Sequence, residues 1–408
     1  MSNSSRAFPV VEGRTDQKFE AMRDAFARAQ ADDPGGAQLC VYQNGQVVVD
    51  LWTGRDLIND RRFSADTPTV LMSASKGITA ITAHMLVERG ELDLDAPVSV
   101  YWPEFAQNGK GKIPVRYLLS HQAGLAEFPA NSGITLEKLL DWDRCVEVLA
   151  EMAPLWTPGS AFMYHAATFG YLIGEVIRRV SGKTVGQSLA EGFRRPLGLD
   201  LWLGDLPASK EANFAPQFTL ASDPSAQTER QMLDSADADI DAGDPSLKAL
   251  KLNRISPNKI DEFLNARDTH LAEIPAANAV GNARSLARLY AATIGEVNGI
   301  RLLNEETMSR ARVPQTDNLS RPSPSDKRPV LHPSRFALGF QISSARCPML
   351  GEGSFGHSGR GGRLAFAHPE TGTAVGYTCN NMAWDHEAGP DARWLPWIAA
   401  LNKALVHR

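Results

Sequence analysis

Apolar residues recur along the chain with two periods, and the switches between them mark out the elements. Residues 15–31 place Phe19, Met22, Phe26 and Ala29 on one side of a helix. Two β-rich runs follow, AQLCVYQ and QVVVDLW, separated by Asn44-Gly45, the dipeptide that most strongly signals a tight antiparallel hairpin. From Met72 onward Ile78, Ile81, Met85 and Leu86 return to helical spacing, and Gly90 stands where a helix stops. ELDLDAPVSVYWPEF is a turn-rich connection, and KIPVRYLLSHQAGL predicts a short helix begun by Pro114 and ended before Gly124. Phe169, Leu172, Ile173, Val176, Ile177 and Val180 share one face of a helix expected to start near Ala166 and to close at Ser181-Gly182. ANAVGNARSLARLYAATIG predicts another helix. FALGFQISS, RLAFAHP and GTAVGYTCNN predict strands, the last two joined at Pro369-Glu370-Thr371-Gly372. Trp394, Trp397, Ile398, Leu401 and Leu405 make a final amphipathic helix.

Helix and strands at the start, strands and helix at the end, and helices between them predict an α+β chain. One antiparallel sheet draws on 1–72 and 275–408, flanked by the terminal helices, with a mainly helical unit over 73–274 inserted. Within that unit 205–255 is a long polar loop. Asp234, Asp237, Asp239, Asp241 and Asp244 lie there without the glycine and terminal glutamate of a calcium loop, so a solvated segment is the expectation. RPSPSDKRPVLHPS is a second surface loop. No repeat is visible.

Composition narrows the class. A formal charge of -5 gives no basic field for a phosphate backbone, and no stretch interleaves Lys or Arg with aromatics, which excludes nucleic acid as the expected partner. No run approaches the ~20 apolar residues of a membrane span, and the first residues carry neither a basic nor an apolar leader pattern. A cytoplasmic protein is the expectation. Cys40, Cys145, Cys347 and Cys379 are widely spaced, without a metal-binding pattern, and are expected as buried small hydrophobes.

Chemistry gathers first at Ser73 and Lys76. Three residues apart on a helix, their side chains share a face, so the amine can reach the hydroxyl. A serine in a first turn also lies where free N–H groups favour a developing anion. The spacing alone fits equally a capping serine and a solvated lysine. Ser256-Pro257-Asn258-Lys259 has the same spacing before a polar helix, where the cap is the better reading. Tyr164, at a loop-to-helix junction after Thr157-Pro158-Gly159, has a phenol able to relay a proton. Phe355-Gly356-His357-Ser358-Gly359-Arg360-Gly361-Gly362 reads as a glycine-rich turn ahead of the RLAFAHP strand. Its backbone can approach a ligand and aim N–H groups at it. It nearly matches a G-x-S-x-G elbow, but Arg360 occupies the last glycine position and a strand follows, so Ser358 is a poor nucleophile.

The ordered set Ser73-x-x-Lys76, Tyr164, His357-Ser358-Gly359 resembles the serine β-lactamase and penicillin-binding-protein superfamily, in its class C-like branch, and most of all the family VIII carboxylesterases. SASKGITAITAHMLVERGELDLDAPV, VRYLLSHQAGL, WTPGSAFMYHAATFGYLIGEVIRRVSG, AANAVGNARSLARLYA and FGHSGRGG look like the corresponding blocks, over residues 67 to 362. The resemblance implies a site in the cleft between sheet and helical parts. It implies Ser73 as acyl acceptor, Lys76 and Tyr164 as the proton-handling pair, and the His357-Ser358-Gly359 stretch as one wall. The backbone N–H groups of Ser73 and Arg360 would hold the oxyanion. No cofactor or metal is implied.

Two departures bear on the substrate. The β-lactamase motif Y-x-N is here Tyr164-His165-Ala166, and its third motif begins with Lys where this chain has His357. Histidine is mostly neutral near pH 7 and supplies no fixed charge for a substrate carboxylate. Both departures imply a small neutral ester as substrate. Acyltransferase and amide hydrolase are the nearest alternatives, followed by β-lactamase or D-amino-acid peptidase, with a non-enzymatic scaffold last. His121 is expected to pack near a helix end, and Trp156, Phe128 and Trp384 are candidates to line a pocket or to serve the core.

Overall fold

The computed structural model describes residues 8–220, 257–320, 334–383 and 389–406. The aspartates of 234–244, Ser256, Trp384 and most of the two polar loops lie outside them.

Local sequence accounts for the first hairpin. β2 (Ala37–Gln43) and β3 (Gln46–Thr53) turn through Asn44 at φ 49° and Gly45 at φ 77°, the left-handed pair of a type I′ turn. With β1 (Glu12–Thr15) ahead of them and β9 (Arg335–Phe336), β10 (Gln341–Ile342), β11 (Phe355–Gly359), β12 (Arg363–His368) and β13 (Thr373–Cys379) behind, they form one eight-stranded sheet in the order β1-β3-β2-β13-β12-β11-β10-β9. Every pairing is antiparallel, and β13 joins the two ends of the chain by pairing Gly376 with Cys40. β4 (Arg55–Asp56) and β5 (Arg61–Arg62) make a separate ladder.

Both sheet faces are covered, which alternation along the strands explains. Leu39, Val41, Leu364, Phe366, Val375 and Tyr377 point into one core with Phe19, with Met22 and Phe26 of α1 (Ala21–Ala29), and with Trp394, Trp397 and Leu401 from the C-terminal end. Cys40, Tyr42, Ala365, Ala367 and Ala374 point into the other, under α2 (Ala74–Glu88) and the helix Ala283–Ile294. Gly376 is required there, since a Cβ would stand 2.2 Å from the Ala283 carbonyl. The four described cysteines are free and buried.

The helical part includes α3 (Val115–Leu119), α4 (Trp142–Glu151) and α5 (Thr168–Ser181), whose end at Gly182, φ 69°, is the expected left-handed stop. α5 begins two residues later than Ala166. A small sheet not foreseen from the sequence ties β6 (Thr69–Val70), β8 (Val280–Gly281) and β7 (Leu201–Trp202) together immediately before α2. Two strand assignments change. FALGFQISS is two short strands, broken where Gly339 takes φ 88°. The glycine-rich stretch 355–359 is itself a strand, and the turn begins only at Arg360. Among the described residues no helix is long and apolar enough to cross a membrane.

The hairpin turn gives a direct check. A Cβ on Gly45 would stand 2.0 Å from the Glu296 carbonyl, and its φ is one that L-residues avoid. Gly45→Ala is expected to cost more than about 1 kcal/mol, seen as a lower urea midpoint at unchanged slope.

Candidate active site

Ser73 enters its site through a strained turn. Leu71 N–H donates to the Ala279 carbonyl at 2.8 Å, closing the small sheet, and Met72 then takes φ 51°, a left-handed conformation unusual for a residue with a side chain. Ser73 follows as the residue before α2, and its side chain makes no cap. Ser75, inside the first turn, instead ties that turn to Ala279. Its Oγ donates to the Met72 carbonyl at 2.6 Å and accepts from Ala279 N–H at 3.1 Å. The Ser73 hydroxyl is thereby left to Lys76, whose Nζ lies 3.2 Å from it.

Lys76 is not a surface lysine. It is 1% exposed in a helix buried nearly all round, and its amine donates to the Ala276 carbonyl at 3.0 Å. No carboxylate pairs with it among the described residues. Burial alone drives its pKa well below the ordinary lysine value, which favours the neutral amine beside the serine. Its nitrogen stands 4.8 Å from the centre of the Tyr164 ring. Tyr164 is half-buried, and burial holds its phenol protonated, above the ordinary range, against a smaller opposing effect from its hydrogen bond with Ser73.

The Tyr164 loop is fastened by two histidines. His165 N–H donates to His121 Nδ1 at 3.2 Å, and His165 Nε2 accepts from Leu125 N–H at 3.2 Å. His165 Nδ1 lies 2.7 Å from the Met163 carbonyl, which makes Nδ1 the protonated nitrogen. His121, at φ 63°, packs its ring 4.9 Å from Tyr164 and 4.5 Å from Phe336, and Phe336 stacks on Tyr164 at 5.7 Å. Ala166 is exposed and brings no amide.

β11 forms the opposite wall. Ser358 donates through both N–H and Oγ to Gln341 Oε1, each at 2.8 Å, while His357 Nδ1 donates to the Ser358 carbonyl at 2.7 Å. His357 is 1% exposed, and burial above all pushes its pKa down to about 3. It therefore carries no charge at neutral pH. Gly359 abuts the Ser73 turn so closely that a Cβ would lie 2.5 Å from the Leu71 carbonyl. Ser73, Lys76, Tyr164, His357, Ser358 and Gly359 thus converge, and Arg360 follows at the turn. Phe128 packs edge-on against Tyr171 in the core, and Trp156 donates to the Ala161 carbonyl.

The comparisons with known proteins agree with the fold. The beta-lactamase family model matches residues 22–395. The chain belongs to the beta-lactamase family. Esterase/beta-lactamase LipL of Mycobacterium tuberculosis is 35% identical over 381 residues, covering 91% of this chain and 83% of LipL. Two beta-lactamase-fold crystal structures superpose with a TM-score of 0.80 while covering 97% of this chain and all of theirs: a penicillin-binding-protein homologue from Caulobacter crescentus at 32% identity and a family VIII carboxylesterase at 30%. This family member is accordingly a hydrolase of the esterase/beta-lactamase type.

Sequence reading did not single out Gln341, Phe336 or Arg363. Only the last carried a signal, a charge opening the otherwise apolar RLAFAH run.

Burial of the site's imidazoles predicts acid sensitivity. His165 is held down to about 4, His357 to about 3 and His121 well below its ordinary value. Their neutral forms are native, so an unfolded chain binds more protons below about pH 6.5. Stability should be full above that pH and fall as pH drops towards 4. Urea midpoints measured between pH 7.5 and 4.5 test this, and His165→Asn should flatten the slope.

Proposed function

We propose that this protein hydrolyses carboxylic esters of small, neutral substrates through an acyl-enzyme on Ser73. The observation that carries this reading is the Lys76 amine, buried without a carboxylate partner among the described residues and 3.2 Å from the Ser73 hydroxyl, where burial favours its neutral form.

The opposite pKa displacements divide the labour. A neutral amine accepts a proton, and a phenol held protonated gives one. Ser73 Oγ attacks the ester carbonyl carbon as its proton passes to Lys76 Nζ. The carbonyl oxygen becomes an oxyanion, received by the N–H groups of Ser73 and Arg360. The C–O bond to the alcohol breaks, the alkoxide takes the Tyr164 phenolic proton, and Lys76 returns its proton to Tyr164. Water then attacks the acyl-serine carbonyl carbon, giving its proton to Lys76; the bond from that carbon to Ser73 Oγ breaks, Lys76 returns the proton to Oγ, and the carboxylic acid leaves with Ser73 and Lys76 restored.

A neutral substrate is supported by what surrounds the serine. His357 lacks charge, Ala166 offers no amide, and the Arg360 charge already acts on buried Asp261, whose pKa is raised by burial, a rise that Arg360 only partly offsets. A site of this kind gives a substrate carboxylate little return for its desolvation. The second reading, β-lactam hydrolysis, draws on the paired activities in the name of LipL.

Ser73→Ala is expected to lower turnover of short-chain p-nitrophenyl esters by at least ~10²-fold, with an unchanged circular dichroism spectrum. A fluorophosphonate should label Ser73 stoichiometrically in the native protein and not the variant. Unlabelled native protein would sink the proposal, and penicillin turnover exceeding ester turnover would favour the second reading.

A further inference from the structure

We infer that Arg363 is a positioning residue for this acyl transfer, tying the strand that delivers Ser73 to the turn that carries the Arg360 N–H. The inference rests on the reading of Ser73 as the nucleophile.

Arg363 opens β12 opposite Gly359 on the sheet face of Ala365 and Ala367, and its side chain reaches the cluster that holds Val70 and Met382. It is completely buried. Its Nε donates to the Val70 carbonyl at 3.1 Å, one terminal nitrogen to the Arg360 carbonyl at 3.1 Å, and the other to Gln217 Oε1 at 3.3 Å. Val70 stands three residues before Ser73 on the chain. One rigid guanidinium thus spans the two segments that supply the proposed oxyanion donors.

Its partners set it apart from an ordinary buried ion pair. With Met382 Sδ, which also accepts from the guanidinium, all four are neutral, and among the described residues no carboxylate comes within ion-pair reach. Asp261 is met only through Gln217, whose Nε2 donates to its Oδ1 at 2.8 Å. Arg393 nearby is conventional, paired with Asp33 at 2.6 Å and Asp391 at 2.7 Å. A buried cation without a touching anion lowers stability. Its use is geometric, because a planar fork of five donors can hold two backbone carbonyls at once and a lysine cannot.

The turn it grips is held from behind at each residue. The Arg360 carbonyl accepts from Arg363, the Gly361 carbonyl from Arg393 at 2.7 Å and the Gly362 carbonyl from Trp394 Nε1 at 2.7 Å. The Gly359 carbonyl accepts from Gly362 N–H at 3.0 Å inside the hairpin. In a trans peptide the next N–H points the opposite way, so the Arg360 N–H is turned out of the hairpin. Arg363 fixes where that outward N–H stands relative to the Ser73 turn, a spacing on which oxyanion stabilisation depends steeply.

The test measures kcat per fluorophosphonate-titrated site and KM for a p-nitrophenyl ester, with urea midpoints alongside. Arg363→Met should lower kcat per titrated site by ~10-fold or more while KM moves less than ~2-fold. Arg363→Lys should recover little, since one amine cannot hold both carbonyls. Gln217→Met, which frees one end of the guanidinium and leaves it in place, should show a smaller loss of the same kind, and it carries the test if the Arg363 variants do not fold. Wild-type kcat per titrated site in whichever variants fold, with losses confined to the urea midpoint or the titrated fraction, would overturn the inference and leave Arg363 a structural residue. Native protein that resists labelling would instead overturn the reading of Ser73.

Discussion

The chemistry depends on the desolvation of one amine. Lys76 sits on a helix buried nearly all round, with the Ala276 carbonyl and the Ser73 hydroxyl as its hydrogen-bonding neighbours and aromatic rings of Tyr164 and Phe169 beside it. In water that amine would be charged and useless as a base. Without a carboxylate to hold the proton, burial favours its loss. The same exclusion of water keeps the Tyr164 phenol protonated and the His357 imidazole neutral, so one physical cause underlies the proposed base, the proposed acid and the uncharged wall. An added buried carboxylate beside Lys76 would undo the first of these by restoring the cation.

Keeping these groups dry requires segments remote in sequence to close on α2 with little clearance. Residues 275–279 are stitched to its first turns by the Pro275, Ala276 and Ala279 backbone. β11 closes the other side only because Gly359 has no side chain. The left-handed Met72 is the local consequence, since the chain must turn sharply between β6 and α2 to present Ser73 without capping with it. Strain of order 1–3 kcal/mol at such a residue is tolerated when its surroundings over-determine it, and here β8, Arg363 and Gly359 all press on the turn.

Elements governed by local chemistry were legible in the sequence: the Asn44-Gly45 hairpin, the Gly182 stop, the strands RLAFAHP and GTAVGYTCNN. The convergence of Ser73, Lys76 and Tyr164 followed from spacing and family likeness. Features set by tertiary contact were not. The stretch 355–359 looks like a turn because glycines dominate it, yet those glycines serve close packing against β12 and the Ser73 turn, and its pairing partners come from distant sequence. The helical start placed at Ala166 was early because His165 is bound into the Tyr164 loop instead. Burial of Lys76 could not be read from amphipathicity, since α2 has no exposed polar face to contrast with a core face.

The central pairing of β2 with β13 bears on how the molecule is made. Cys40 finds Gly376 only when nearly the whole chain is present, and the wall of the site is built from β11 in the same late segment. Contacts of such long sequence separation close slowly and leave β2 with an unpaired edge in the interval. A chain emerging from the ribosome would carry its serine and lysine long before it could dehydrate them. Hydrolytic competence should therefore arrive last and abruptly, with the docking of the final strands, leaving the partly made protein chemically silent.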